Sequence, residues 1–161
     1  MTAWLEHARF VADPLPADWR EQLARRLGQR PRRLGPWAEQ AVYGARECLA
    51  KAGETTLPEG AVLRLASFSG PRSATRTIAL QATEGLPMPF AFMQSQASHA
   101  LAALSEHLGW RGDARFVLQR DRTALRALAE MEAEAAGATS LLFGWVEEDQ
   151  STDWRWLVPA G

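Results

Sequence analysis

Residues 140–146, SLLFGWV, are apolar on both faces of an extended chain. A strand of that kind needs cover above and below, which places it in the middle of a sheet layered between helices. Its flanks agree: Gly137 ends the helical pattern before it, and EEDQSTD (147–153) forms a turn after it. WRWLV (154–158) then returns as an antiparallel strand, closing a hairpin.

The remaining segments arrange themselves around that strand. AWLEHARFVA (3–12) reads as a first strand, and residues 13–36 as a proline- and arginine-rich connector with a short helix at 17–28 before Gly28. Pro36 opens a helix at its first turn, with Trp37, Ala41, Ala45 and Cys48/Leu49 on one face and Gly53 as its stop. AVLRLASF (61–68) reads as a strand, 73–84 as a helix ended by Gly85, and LPMP (86–89) as a turn. Ser95 is placed to cap a helix over 97–108, ARFVLQ (114–119) is the next strand, and Asp121 caps the helix after it. On that helix Arg122, Arg126, Glu130 and Glu134 form a polar stripe, while Leu125, Leu128 and Met131 are expected to face the sheet. The order predicts an α/β chain: a three-layer α/β/α domain with a mixed five-stranded sheet, one domain over 1–161, without internal repeats.

Composition narrows the function classes. The net charge is −1 and 47% of the 161 residues are hydrophobic, so no whole-molecule field marks the chain for nucleic acid or membrane. The longest apolar stretch, LPMPFAFM (86–93), is far too short to span a bilayer. A cytoplasmic location is therefore expected. Cys48 is the single cysteine, which excludes an internal disulfide and reads as a buried, inert thiol. His7, His99 and His107 are dispersed, with no metal-ligand spacing and no cofactor fingerprint, so neither a metal nor a cofactor is expected.

Three local features carry candidate chemistry. ASFSGPRS (66–73) resembles a serine-nucleophile turn, but Ser67 stands where GxSxG needs glycine ahead of Ser69. The same stretch reads as an anion nest with Arg72, or as a plain strand-to-helix turn whose Ser73 caps the helix. Arg25, Arg26, Arg30, Arg32 and Arg33 form a basic cluster that suits an acidic partner, phosphates or simple solvation. FVLQRDRTALRAL (116–128) runs from strand to helix through Arg120-Asp121-Arg122, the kind of turn at which α/β enzymes hold a nucleophile.

Taken in order, RPRRLGPWAEQAVYGARECLAKAG, AVLRLASFSGPRSAT and LPMPFAFMQSQASHALAALSEHLGW resemble the N-terminal half of a β-ketoacyl synthase of the thiolase fold. The resemblance covers residues 30–146 and is nearest to the chain-length-factor-like proteins of aryl-polyene and xanthomonadin-type pigment pathways. Met88-Pro89 stands where the family's Ser-Pro is usual. The resemblance implies half of a thiolase-like fold and assigns the nucleophilic cysteine's place to Asp121. A carboxylate cannot supply the thiolate that thioester chemistry needs, and the family's catalytic histidines belong to a second half beyond Gly161.

The expectation is thus a non-catalytic protein that assists fatty-acid-like or polyketide synthesis by binding. The resemblance implies a ketosynthase and an acyl carrier protein as partners, the latter docking on Arg25–Arg33, with homo- or heterodimerisation through about Ala114–Gln119. Ser69, Phe90, Phe92, Ser95, His99, Arg120 and Arg122 are the candidate pocket residues. Three rivals stay open: an enzyme built on Ser69, Ser95 or His99; an acyl or small-ligand binder near Phe90, Phe92 and Met93, residues otherwise expected in the core; and a nucleic-acid module using the arginine-rich connector.

Overall fold

The computed structural model describes residues 1–86 and 88–161, so Pro87 of the expected LPMP turn lies outside the described residues. Five strands, β1 (Trp4–Ala12), β2 (Ala61–Ser67), β3 (Asp113–Leu118), β4 (Ser140–Glu147) and β5 (Ser151–Pro159), form one mixed sheet in the order β1-β5-β4-β2-β3. β4–β2–β3 is parallel, and β5 turns back antiparallel to β4 and also pairs antiparallel with β1. The strand expected at the centre is there: β4 is buried along its whole length.

The helices are α1 (Trp19–Leu27), α2 (Pro36–Lys51), α3 (Arg72–Glu84), α4 (Pro89–Gln94), α5 (Ala97–His107) and α6 (Arg122–Ala135). Strand alternation splits the core into two layers. Leu63, Leu65, Leu142, Val146 and Trp154 meet α1, α2 and α5 on one face. Val62, Ala66, Leu141, Phe143, Trp145 and Leu157 meet α6 on the other. The arrangement is three-layer α/β/α.

α6 alone does not need to cover its whole face. Beyond it, β1 and β5 carry Arg9, Asp153, Arg155 and Glu6, joined by ion pairs at 3.1 Å (Arg9–Asp153) and 3.6 Å (Arg155–Glu6). That side of the sheet meets solvent as charge rather than as bare hydrocarbon.

Some local expectations are corrected. Ser95 does not cap α5; Gln96 holds the cap position without a side-chain bond, and the Ser95 hydroxyl donates to the Phe92 carbonyl at 2.6 Å. Ser73 does not cap α3 either, because Pro71 stands there and Ser73 lies inside the first turn. On α6 the sheet-facing residues are Leu125, Ala129 and Ala133, while Met131 is 62% exposed and Leu128 half-buried. A stripe of two alanines lets α6 sit close to the sheet, and the longer side chains point away. Phe90, Phe92 and Met93 are likewise exposed, with Phe92 at 61%. They lie on α4, a six-residue helix that begins at the last residue of the expected turn.

Candidate functional site

The carboxyl ends of parallel strands are where open α/β sheets bind ligands, because the chain leaves each strand into a loop there. In this protein β2, β3 and β4 end together. β2 runs into Phe68-Ser69-Gly70 before α3, β3 into Gln119-Arg120-Asp121 before α6, and β4 into Glu147-Glu148 before the β5 hairpin.

The turn after β3 is a helix cap and nothing more strained. Asp121 has ordinary extended backbone (φ −106°, ψ 113°), and its carboxylate accepts from the Thr123 amide at 2.8 Å. The Arg120 and Asp121 amides donate to the Gln119 side-chain oxygen at 2.8 and 3.3 Å, so they are already occupied. A nucleophile elbow would hold its residue in a strained conformation with the side chain free above the sheet. Neither condition holds at Asp121.

The turn after β2 is also filled from within. Glu147, 9% exposed, accepts from the Ser67 hydroxyl at 3.1 Å, the Phe68 amide at 2.5 Å, the Ser69 amide at 3.3 Å and the Ser69 hydroxyl. Glu148, 2% exposed, accepts from the Ser73 amide at 2.7 Å and from the Ser73 hydroxyl. The anion nest read in ASFSGPRS exists, and the anions are the protein's own carboxylates. Adjacent acidic residues in a turn give no sign of this in the sequence, because the partner lies nearly eighty positions away.

The seven residues expected to share one pocket do not. Ser69, Arg120 and Arg122 line a shallow cleft with Phe68, Arg72 and Trp145. Phe92 lines a separate apolar groove of about 520 Å³ with Ile78, Ala82, Leu86, Met88 and Pro89. Phe90 lies under the Arg33 guanidinium, 5.9 Å from its ring centre, and the His99 ring meets the Arg33 carbonyl at 3.3 Å. Ser69 and Ser95 are hydrogen-bonded elsewhere, to Glu147 and to Phe92. The serine–histidine rival therefore has no converging side chains.

Most of the basic cluster is tied down. Arg26 makes a two-pronged pair with Glu47 at 2.9 and 3.1 Å, Arg25 reaches Asp18 at 3.6 Å, and Arg30 reaches Glu39 at 3.5 Å. Arg32 and Arg33 have no carboxylate partner among the described residues. Cys48 sits fully buried in α2, donating toward the Trp154 carbonyl at 3.6 Å, and burial pushes its thiol up to about 12. No helix among the described residues is long and apolar enough to cross a membrane.

No family model matches the chain, and no curated protein does. Solved structures do. A ketosynthase in complex with its chain length factor from Xenorhabdus doucetiae matches over 99% of this chain and 78% of that one, at a TM-score of 0.68 and 15% identity. The fold is ketosynthase-like. The ishigamide ketosynthase/chain length factor matches over 98% of this chain and 62% of that one, at a TM-score of 0.72 and 12% identity. A type II polyketide synthase acyl carrier protein in complex with its ketosynthase matches at a TM-score of 0.66 and 9% identity, over 98% of this chain and 63% of that one. The chain thus spans under two thirds of the second and third of these relatives. Five strands in one mixed sheet make this the half-thiolase form of the ketosynthase-like fold that the sequence resemblance implied.

Proposed function

We propose that the chain is a non-catalytic, ketosynthase-like subunit that assists polyketide or fatty-acid-like synthesis by pairing with a ketosynthase. The observation that carries this reading is the turn after β3. It offers a capping carboxylate where the family resemblance places the nucleophilic thiol, while the single cysteine is buried in α2. The pathway we favour is cytoplasmic and of the aryl-polyene or xanthomonadin pigment type, on the strength of the sequence resemblance.

Surface features support a paired role. β3 is an edge strand whose outer backbone groups have no strand partner among the described residues, and natural proteins rarely leave such an edge uncovered beside apolar side chains. Leu118 at its end is 70% exposed, next to Phe68 on the neighbouring turn. Leu86, Met88, Phe90 and Phe92 add apolar surface on the α3–α4 segment. Such a patch marks a protein contact more often than chance exposure. An acyl carrier protein, the second proposed partner, would meet Arg32 and Arg33, with Arg30 able to exchange Glu39 for an acidic surface.

The test is affinity purification of the tagged protein from its native cells, with Leu118→Asp and Phe92→Asp variants alongside. The reading expects a ketosynthase to co-purify with the wild type and to be lost from both variants. Arg30, Arg32 and Arg33 changed together to Glu should lose the carrier protein alone. A wild-type protein that brings down neither overturns the proposal. The apolar groove beside Phe92 favours one second reading, an acyl-chain binder. Saturable uptake of a fatty acid by the isolated protein, lost in Phe92→Asp, would establish it instead.

A further inference from the structure

We propose that the cleft at the carboxyl ends of β2, β3 and β4 binds a small organic anion, one charged head on an apolar body, through Arg72, Arg120 and Arg122. Three guanidinium groups line this cleft, and none has a carboxylate within ion-pair distance among the described residues. That contrasts with Arg9, Arg26, Arg64 and Arg126, each of which is paired.

Two of the three sit where positive charge is disfavoured. Arg72 and Arg122 are the first residues of α3 and α6, helices of 13 and 14 residues with no acidic residue in the first turn. Cations there oppose the helix dipole. Local choices that break such a rule cluster at functional sites.

The cleft's negative groups are accounted for. Glu147 forms part of the wall, with its carboxylate turned to the amides and hydroxyls of 67–69. Glu148 is spent on Ser73 and Asp121 on the α6 cap. The amides of Phe68, Ser69, Ser73 and Thr123 are engaged by these carboxylates and those of Arg120 and Asp121 by the Gln119 side chain, so an incoming anion is met by side chains. Three guanidiniums against three neighbouring carboxylates leave little net charge, which fits a carboxylate or phosphate monoester and disfavours a polyphosphate.

The walls supply the rest of the specificity. Arg120 lies over the Phe68 ring at 5.5 Å, and Arg122 over the Trp145 ring at 5.1 Å while donating to the Ser151 hydroxyl at 3.2 Å. Each ring gives its guanidinium a cation–π contact, and the Ser151 bond adds a second restraint on Arg122. Trp145 is buried, and its indole N–H has no hydrogen-bond partner among the described residues. Phe68 is half exposed and offers an aromatic surface beside the charge.

Phenyl phosphate, benzoate and inorganic phosphate, titrated into the isolated full chain by calorimetry, test this without any partner protein. The expected result is saturable binding of phenyl phosphate or benzoate, tighter than inorganic phosphate, with a shift of one tryptophan indole resonance. Arg120→Gln and Arg122→Gln should each weaken it about tenfold, the loss of one charged hydrogen-bond donor, with melting temperatures unchanged for Arg120→Gln. Which of the two aryl anions binds tighter identifies the head group. No binding at millimolar concentration, inorganic phosphate binding as well as phenyl phosphate, or unchanged affinity in both variants would overturn the proposal. Because no ketosynthase is present, failure here leaves the subunit reading standing, and the reverse also holds.

Discussion

Gly144 on β4 and Trp154 on β5 are register partners, and a Cβ at residue 144 would lie 2.2 Å from the indole. The other side of the same ring is met by α2, where a Cβ on Gly44 would stand 2.4 Å from the indole and from the Thr152 hydroxyl. A fully buried tryptophan thus sits between two glycines, and it sets how closely α2 approaches the sheet.

Gly→Ala in a helix interior ordinarily stabilises by about 1 kcal/mol. Gly44→Ala should do the reverse, because neither backbone nor indole can yield in a packed core. Gly144→Ala should cost more, since it meets the ring face-on. Losses of about 1–3 kcal/mol are expected from overpacking, measured by urea unfolding. Gly44→Ala as stable as wild type would show that α2 can retreat without cost.

Arg64, at 1% exposure, is the one cation buried in the middle of β2. It bonds Glu132 of α6, Asp113 of β3 at 2.9 Å, and the Leu63 and Asp113 carbonyls at 2.9 and 3.1 Å. Burial alone would raise the Asp113 carboxyl, but bonds from Arg64 and Arg115 outweigh it and hold it below the ordinary value. Arg64→Met leaves Glu132 and Asp113 with Arg115 as their remaining cation and strips the Leu63 and Asp113 carbonyls of a donor, and should cost about 1–3 kcal/mol. Adding Glu132→Leu should recover part of that loss in a double-mutant cycle.

Cys48 gives a pH dependence. Burial holds its thiol at about 12, against an ordinary 9.0, so the folded state keeps a proton that the unfolded state releases. Its contribution is full below about pH 9 and declines as pH rises from 9 towards 12. Tyr43, also raised to about 12 mainly by burial, adds to the decline from about pH 10. Urea midpoints measured between pH 7 and 10.5 should fall above pH 9, and Cys48→Ala should flatten the first part of that fall. The native thiol should also resist a disulfide reagent at pH 8 and react once unfolded.

Glu147 organises the β2–α3 turn by accepting four bonds. In Glu147→Gln an NH2 group must face those donors, so at least one amide or hydroxyl loses its partner. A loss of about 1–3 kcal/mol is expected, with faster amide exchange at Phe68 and Ser69. Unchanged exchange there would mean the turn holds itself without the carboxylate.

The sequence disclosed the sheet because its evidence is local. The unbroken apolar run of β4, the glycines that end helices and the hairpin residues act within a few positions of themselves. The candidate site was legible only in part. Asp121 as a cap could be read from its place before α6, whereas Glu147 reaching Ser69 joins residues far apart in the chain. Arg64 was unreadable for the same reason: a charged residue inside AVLRLAS signals exposure until Glu132 and Asp113 are brought to it. Phe90 and Phe92 misled in the opposite sense, since apolar residues exposed on a helix surface look like core in the sequence.

Asp121→Cys asks whether the turn has the electrostatics of a nucleophile site. Losing the cap should cost about 1 kcal/mol. The introduced thiol would lie at the N-terminus of α6 between Arg120 and Arg122, an environment that lowers a thiol's pKa. It should therefore react with iodoacetamide at pH 7 faster than a free cysteine, and Arg122→Gln in the same background should slow it. The Gln119 side chain already occupies the Arg120 and Asp121 amides, so little stabilisation remains for an oxyanion, and no acyl transfer to the thiol beyond the uncatalysed rate is expected. A thiol no faster than free cysteine would mean that the arginines are solvated away from the turn, and would weaken the case for the cleft as an anion site.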